Sequence, residues 1–452
     1  MSAYHLPDAE KLAAAHKTLH FFAYLVGAGH HIAAWRHPSA NPAAAISFDH
    51  YRSLADIAEQ GVLDAVFFAD SLAVNEQSHH GILDRFDPVG LITALAPVTK
   101  NVGLIATAST SYDEPYNLAR ALLSADRISK GRAGWNIVTT RDLTNTTARN
   151  YGRPEHYEHS IRYERAEEFV DVVRGLWRSW EPDAFTYDKV SGQFFDPAKL
   201  HRINHRGNLF PQVDGPLNIA PSEQGEPLLV QAGSSEPGIA LGARVANAIF
   251  TFQPDIPAAQ QFRDKIRDKA RASGRNPDEV YVLGGISPIV AETEAKAWDL
   301  IRELDDLVEE PKILSFLDDY FGHAIDFRQF TQETSVADSG ILALPELRKD
   351  FWKTHERISG REKSVTLKQL YSHLTGVSFL PDFVGEPEKV ADNLIRWFEA
   401  GAFDGYILIN PLLPRDLSNF VEQVVPILQR RGYSPKSYSH PTLRGRLGLI
   451  DG

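Results

Sequence analysis

The chain has 452 residues, and its 47 basic against 59 acidic side chains give a formal net charge of −12. Such a protein lacks the cationic surface that neutralises phosphates, so we exclude nucleic acid as a partner. The absence of cysteine excludes disulfides, thiolate nucleophiles and zinc–sulfur sites. The segment MSAYHLPDAEKLAAAHK carries charges and no apolar core of signal-peptide length, so we expect a cytoplasmic protein without membrane contact.

Short apolar runs alternate with segments of helical periodicity along the chain. Eight runs predict strands, at residues 19–26, 64–69, 102–107, 133–138, 228–233, 246–252, 280–285 and 405–409. Helices are predicted at residues 48–60, 115–129, 161–180, 256–273, 291–307, 386–400 and 415–431. Nearly continuous apolar strands are typical of a parallel sheet covered on both faces. The pattern predicts an α/β fold, a (β/α)8 TIM-type barrel, with an open doubly wound sheet as the alternative.

Two intervals are too long to be simple connections. Residues 181–227 precede the fifth predicted strand, and the larger interval, 308–385, precedes the eighth. Long loops of this kind are usually functional, so we expect both as inserted segments on the catalytic face of one barrel domain, 1–452. The later segment is the expected lid. Residues 433–452 are predicted to form an extended C-terminal arm.

Catalytic side chains of a barrel follow the carboxyl ends of its strands. This rule selects the loop 27–38, Asp70, Thr107, the pair 139–140 and the Gly-Ser-Ser turn 233–235. The turn precedes a helix, and it offers backbone N–H groups, hydroxyls and the positive end of a helix dipole to a phosphate. A serine helix cap without a ligand is the simpler alternative.

Several histidines lie near these positions. His159 and Tyr163 are four residues apart at the start of a predicted helix, so they share a face and could hold the same anion. A solvated first turn is the alternative. His30, His31 and His37 do not have the spacing of a known zinc motif, so no metal site is predicted. A metal-dependent barrel hydrolase built on them remains an alternative.

The motifs of the chain resemble those of the bacterial-luciferase-like flavin monooxygenases. The similarity is to the branch of nitrilotriacetate, dibenzothiophene-sulfone and long-chain-alkane monooxygenases. The matching stretches run in order from Gly29 to Asn410, and they are GHHIAAWRHP, FFAD, GLIATASTSYDEPYNLAR, DRISKGRAGWNIVTT, ARNYG, HSIRYERAEEFVDVVRGLW, LLVQAGSSEPG and VGEPEKVADNLIRWFEAGAFDGYILI.

The resemblance implies an FMN-dependent two-component monooxygenase. A separate NAD(P)H:flavin reductase would supply reduced FMN, and reaction with O2 would give a C4a-peroxyflavin that oxygenates a polycarboxylate amine, a sulfone or an alkane. No GxGxxG lies between a strand and a helix near the amino terminus, which agrees with a separate reductase. We expect a homodimer or homotetramer. A deazaflavin-dependent oxidoreductase and a non-catalytic flavin-binding protein are the alternatives within this fold.

The resemblance also implies roles for individual residues. Asp70 and Thr107 would contact the isoalloxazine, with Asn136 on the strand beneath it. The phosphate end of FMN would be held by His159, Tyr163, Ser234 and Ser235. His323, in YFGHAIDF, resembles an active-site histidine in the inserted segment of relatives, and we predict His323 and His31 as catalytic residues.

Overall fold

Parallel strands close into a barrel. The computed structural model describes residues 14–74, 83–140, 142, 144–344, 351, 365–375 and 380–449. Within these ranges eight strands lie side by side, and the last pairs with the first. They are β1 (His20–Tyr24), β2 (Ala65–Phe68), β3 (Gly103–Ser109), β4 (Ala133–Val138), β5 (Leu228–Gln231), β6 (Ala248–Thr251), β7 (Tyr281–Ile286) and β10 (Gly405–Ile409), while β8 (Ile289–Val290) and β9 (Val384–Gly385) form a separate parallel pair. The predicted (β/α)8 barrel is confirmed, and the open sheet is excluded.

Helices surround this barrel. They are α1 (Phe48–Gln60), α2 (Pro88–Leu95), α3 (Pro115–Ser129), α4 (Thr146–Asn150), α5 (His159–Trp177), α6 (Glu236–Val245), α7 (Ile256–Ala272), α8 (Glu294–Asp305), α9 (Glu310–Tyr320), α10 (Leu367–Leu374), α11 (Pro387–Glu399), α12 (Arg415–Asn419), α13 (Val425–Arg431) and α14 (Leu443–Arg446). A π-helical turn, Phe420–Val424, joins α12 to α13. The sequence analysis did not predict α2, because its sequence PVGLITAL is apolar on nearly all sides and shows little periodicity. No helix in the described ranges has the length and apolar character needed to cross a membrane.

Alternate strand residues fill the barrel interior. Phe22, Ile105, Val230, Leu283 and Ile407 all belong to one buried cluster, so the interior is a packed core and not a pore. The alternation follows from the two-residue side-chain period of a strand. It continues to the carboxyl ends of β3 and β4, where polar residues replace apolar ones.

The C-terminal segment folds against the barrel instead of extending away from it. Leu443, Leu447 and Leu449 join the interior cluster, and the Tyr281 hydroxyl donates a hydrogen bond to the carbonyl of Leu447 at 2.7 Å. This placement differs from the expected extended arm because three leucines gain burial at the amino end of the barrel. Residues 450–452, like residues 1–13 at the other terminus, lie outside the described ranges.

The two inserted segments differ in structure. The segment 181–227 packs along α5, where the Glu168 carboxylate accepts hydrogen bonds from the backbone N–H groups of Leu209 and Phe210 at 3.0 and 2.8 Å. The segment 308–385 builds a core of its own that includes α9, α10 and Ala33 from the loop after β1. Residues 345–350, 352–364 and 376–379 of the expected lid lie outside the described ranges. The lid role stays a prediction.

A buried carboxylate fixes the C-terminal segment to the barrel. Glu226 lies just before β5, accepts hydrogen bonds from Arg174 and Arg178 at 2.9 and 3.0 Å, and lies 3.8 Å from Arg444 of α14. Burial alone would raise the pKa of Glu226, but Arg174, Arg444 and Arg178 together hold it at about 2. One carboxylate therefore compensates several cations that are largely removed from water.

We predict that Glu226→Gln lowers the free energy of unfolding by about 1–3 kcal/mol, because the half-buried Arg174, Arg178 and Arg444 lose the carboxylate that compensates them. Because the folded-state pKa lies below the ordinary value of 4.5, the carboxylate stabilises the fold fully above that pH and loses this contribution as the pH falls toward 2. Urea unfolding of both proteins between pH 7 and pH 3 should therefore show a difference that shrinks in acid. Glu223→Gln, at an exposed neighbouring position, is the control, and an equal loss in both variants would refute the prediction.

Candidate functional site

Two polar side chains pair inside the barrel at the carboxyl ends of adjacent strands. Thr107 of β3 lies opposite Asn136 of β4, and the Asn136 Nδ2 donates a hydrogen bond to the Thr107 Oγ1 at 2.9 Å. Both residues are buried. The Oδ1 of Asn136 has no hydrogen-bond partner among the described residues. An unpaired buried acceptor costs roughly 1–3 kcal/mol, so this oxygen is suited to receive a donor from a ligand.

Asp70 follows β2 on the same rim. Its Oδ1 accepts a hydrogen bond from the backbone N–H of Ser71 at 2.8 Å, and the nearby Arg85 donates to the carbonyl of Ala69 at 3.1 Å. Burial raises the pKa of Asp70 above its ordinary value, although the Ser71 hydrogen bond and Arg85 oppose the shift. Because β2, β3 and β4 are neighbours in the barrel, Asp70, Thr107 and Asn136 follow one another around the rim.

Aromatic rings form a wall at the same end of the barrel. The ring of Phe67 lies 5.1 Å from that of Tyr24 and 6.2 Å from that of Phe250, and the Phe250 ring lies 5.7 Å from that of Phe252. A Cβ on Gly285 would lie 2.6 Å from the Phe252 ring, so the glycine allows this ring to pack closely against β7. This wall is not evident from the sequence, because an aromatic residue within an apolar run does not reveal its neighbours.

A glycine-lined turn begins α6. Ser235 caps the helix, accepting a hydrogen bond from the N–H of Gly238 at 3.2 Å and donating one to the Tyr163 hydroxyl at 3.1 Å. A Cβ on Gly233 would lie 2.9 Å from the Gly238 Cα and only 2.2 Å from the Gln231 Nε2. The close approach therefore requires glycine. Ser234 lies exposed at this helix start, where the helix dipole favours an anion.

An open pocket of about 550 Å3 surrounds this turn. Its lining comprises residues 137–140, Asp142, His156, His159, Arg162, Tyr163 and residues 231–235. The rings of His159 and Tyr163 are 5.0 Å apart. The structure thus brings the four residues predicted for the phosphate end, His159, Tyr163, Ser234 and Ser235, into one pocket.

Thr140 adopts an unusual backbone conformation at the edge of this pocket. Its φ is +29°, a region that β-branched residues rarely occupy. Its carbonyl accepts hydrogen bonds from Arg162 at 2.7 Å and His156 at 3.0 Å, and its hydroxyl lies 2.6 Å from that of Ser109. Strained conformations of this kind persist where surrounding contacts fix them, and they are frequent at functional sites. The sequence places Thr140 after a strand but carries no signal for the strain.

His31 is a buried link between three segments. Its Nε2 donates a hydrogen bond to the Asp305 carboxylate of α8 at 3.1 Å, and its Nδ1 accepts one from the backbone N–H of Ala33 at 3.1 Å. The other oxygen of Asp305 accepts a hydrogen bond from Ser372 of α10 at 2.6 Å. Both ring nitrogens of His31 therefore make hydrogen bonds within the protein, so its predicted catalytic role gains no geometric support and stays a prediction.

His323 lies exposed after α9, on the inserted segment. Its Nδ1 is 2.8 Å from a carboxylate oxygen of Asp318, and this hydrogen bond and charge raise the pKa of His323. With Asp319 these residues form the one group of three possible metal ligands within 4.8 Å that occurs in the described ranges, and it is mostly exposed and acidic. His30, His31 and His37 form no such group there. The structure does not bring His323 into contact with Thr107 or Asn136, and its catalytic role stays a prediction.

Comparison with known proteins gives matches along most of the chain. A family model described as luciferase-like monooxygenase matches residues 28–404. N-acetyl-S-(2-succino)cysteine monooxygenase of Bacillus subtilis (strain 168) is 43% identical over 426 residues, which cover 94% of this chain and 95% of that protein. Nitrilotriacetate monooxygenase component A of Aminobacter aminovorans is 38% identical over 434 residues, covering 93% and 94%.

A solved structure shows the same agreement in three dimensions. The EDTA monooxygenase from Chelativorans sp. BNC1 is 35% identical and superimposes with a TM-score of 0.78. The superposition covers 96% of this chain and 98% of that chain. The likeness therefore extends well beyond the eight barrel strands.

We predict that His31→Ala lowers the free energy of unfolding by roughly 1–3 kcal/mol, because it leaves the buried Asp305 carboxylate without one of its donors. His31→Gln should recover part of this loss, since glutamine retains an N–H donor. Chemical unfolding measures the change, and His37→Ala in the same loop is the control. A His31→Ala protein of unchanged stability that has lost its activity would instead assign His31 to catalysis.

Proposed function

Because the chain belongs to the luciferase-like monooxygenase family, we propose that it is an FMN-dependent, two-component monooxygenase. It uses reduced FMN and O2 to oxygenate a small organic substrate. The family identified from the sequence motifs is confirmed by the match over residues 28–404 and by relatives named as monooxygenases. The observation that carries the flavin proposal is the buried, unpaired Oδ1 of Asn136 at the barrel mouth.

The residues of the site fit FMN. The Asn136 Oδ1 is placed to accept a hydrogen bond from an N–H of the flavin ring. The pocket lining starts at Ile137, the next residue of β4, and continues to Ser234 and Ser235. A ligand with a polar ring at one end and a phosphate at the other matches this order, with the ribityl chain along the end of β4.

In this proposal the side chains of the protein bind the flavin, orient it and shield the reacting region from water. Bound flavin supplies the oxygen-activating chemistry, which no side chain provides. Thr107 holds the amide of Asn136 in one orientation, and Tyr163 with the α6 turn binds the phosphate. The raised pKa of Asp70 lets this carboxyl group hold a proton closer to neutral pH than an exposed aspartate does. The aromatic wall around Phe67 and Phe250 covers one side of the reacting region.

A separate NAD(P)H:flavin reductase is the proposed partner. The chain lacks a GxGxxG between a strand and a helix near its amino terminus, and one relative is named as component A of a monooxygenase.

The proposal has three further parts, which are a homodimer or homotetramer, a cytoplasmic location and a lid role for residues 308–385. A deazaflavin-dependent oxidoreductase would bind the deazaflavin instead of FMN, and a non-catalytic binder would show no substrate-dependent oxygen chemistry.

The proposed substrate is a small anionic compound with several carboxylates. The relatives described above are named for N-acetyl-S-(2-succino)cysteine, nitrilotriacetate and EDTA, each of which is a polycarboxylate. Arg85 provides a cation beside Asp70 and Tyr24 at the mouth of the barrel. Product analysis is carried out with nitrilotriacetate, dibenzothiophene sulfone and a long-chain alkane as substrates. Oxygenation of nitrilotriacetate alone would support the polycarboxylate class, and oxygenation of the sulfone or the alkane instead would contradict it.

Combining Ser234→Ala with Tyr163→Phe should weaken FMN binding by at least roughly tenfold to a hundredfold, because the loss of even one hydroxyl contact to the charged phosphate costs about 1.5–3 kcal/mol. Titration by flavin fluorescence measures the dissociation constant. Ser191→Ala with Tyr187→Phe, in the exposed hairpin of the segment 181–227, is the matched control. Unchanged FMN binding in the first pair would show that the phosphate site is assigned wrongly.

The purified chain given NADH and FMN should oxidise almost no NADH, because its sequence has no GxGxxG between a strand and a helix near the amino terminus. Adding a flavin reductase should start NADH oxidation. When substrate is also present, the oxygen consumed should appear in product instead of being released as hydrogen peroxide. Oxygen uptake, peroxide release and product formation are measured together. Rapid NADH oxidation by the chain alone would contradict the two-component mechanism.

A further inference from the structure

We infer that Arg162 is the cation that binds the flavin phosphate and thereby makes this pocket select FMN over unphosphorylated riboflavin. The inference rests on the proposed function, and it assigns a specificity-determining role to a residue for which the sequence analysis predicted none. Arg162 lies in the first turn of α5, next to Tyr163 and within the lining of the pocket that contains Ser234 and Ser235.

Hydrogen bonds to the backbone hold the Arg162 guanidinium in place. Its Nη1 donates to the carbonyl of Thr139 at 3.0 Å and to that of Thr140 at 2.7 Å. These carbonyls belong to the segment that follows β4 and lines the pocket. A guanidinium fixed in this way needs little further ordering when an anion binds, and it is geometrically suited to a phosphate.

The remaining donors of Arg162 make no hydrogen bond to any residue in the described ranges. Its Nε is buried and has no hydrogen-bond partner, and the Nη2 makes none of the hydrogen bonds between described residues. None of the ion pairs in the described ranges includes Arg162, and the nearby Asp142 carboxylate accepts hydrogen bonds from the backbone N–H groups of Thr144 and Ala148 at 3.1 and 3.0 Å. A partly buried cation without a counter-ion favours an anionic ligand.

The other groups of the pocket are less suited to supply this charge. Tyr163, Ser234 and Ser235 offer neutral hydroxyls. His159 is exposed, its ring lies 5.0 Å from that of Tyr163, and no hydrogen bond between described residues holds it in place. His156 donates to the Thr140 carbonyl through its Nε2, its Nδ1 faces the Tyr112 hydroxyl, and burial together with Arg162 lowers its pKa. The neutral donors bind a phosphate or a hydroxyl alike, whereas a fixed guanidinium discriminates between a phosphate dianion and an alcohol.

Titration of oxidised FMN and of riboflavin into the same proteins tests the inference. In Arg162→Gln, we expect FMN affinity to fall roughly tenfold to hundredfold, as for a lost hydrogen bond to a charged group, while riboflavin affinity stays within about twofold. Arg162→Lys retains the charge but not the planar fork, so it should restore part of the preference for FMN. In the wild-type protein, added salt should weaken FMN binding more than riboflavin binding.

Arg153→Gln is the matched control, because Arg153 is an exposed arginine that lies over the Tyr157 ring, 3.8 Å from its centroid, shortly before the same helix. It should leave the ratio of the two affinities unchanged. Equal weakening of FMN and riboflavin by Arg162→Gln would overturn the inference and reduce Arg162 to a support for the Thr139–Thr140 backbone. If Arg162→Gln fails to fold, an equal effect of salt on FMN and riboflavin binding in the wild-type protein would also overturn it. A wild-type protein that binds neither flavin would overturn the proposed function and this inference with it.

Discussion

The closed parallel barrel fixes where the polar side chains of the candidate site can lie. All its strands run in one direction and β10 pairs with β1, so every carboxyl end reaches the same rim. Thr107 and Asn136 can pair only because β3 and β4 meet in this register. A shift of one residue in either strand would turn that strand's polar side chain out of the barrel. The same closure brings Ser235 to Tyr163, 72 residues earlier in the chain.

Three buried carboxylates at the amino end of the barrel have partners, whereas two buried polar atoms at its carboxyl end have none among the described residues. At the amino end, the buried carboxylates of Glu226 and Asp404 are each compensated by arginines, and that of Asp126 accepts hydrogen bonds from Gln224 and the backbone N–H of Ala133. At the carboxyl end, the Asn136 Oδ1 and the Arg162 Nε lack partners among the described residues. The paired carboxylates stabilise the fold at the amino end, and the two unpaired atoms at the carboxyl end lie within the proposed flavin site.

Thr140 connects the two halves of the proposed flavin site. Its hydroxyl contacts Ser109 at the end of β3, and its carbonyl is held by Arg162 and His156 beside the phosphate pocket. The strained backbone therefore has contacts on both sides that fix it. Thr140 therefore joins the end of β3 to the Arg162 and His156 side chains of the phosphate pocket.

Strand periodicity and the motifs around Thr107, Asn136 and Ser234 are local features, so the barrel, the family and candidate rim residues could be predicted from the sequence. The same motifs predicted that His159, Tyr163, Ser234 and Ser235 would meet. Four further features became evident in the folded protein alone: the donors of Arg162 that no described residue uses, the strain at Thr140, the buried contacts of His31 and the packing of the C-terminal leucines. Each of these depends on contacts between residues distant in sequence, and no local pattern specifies which partner a side chain finds after the barrel closes.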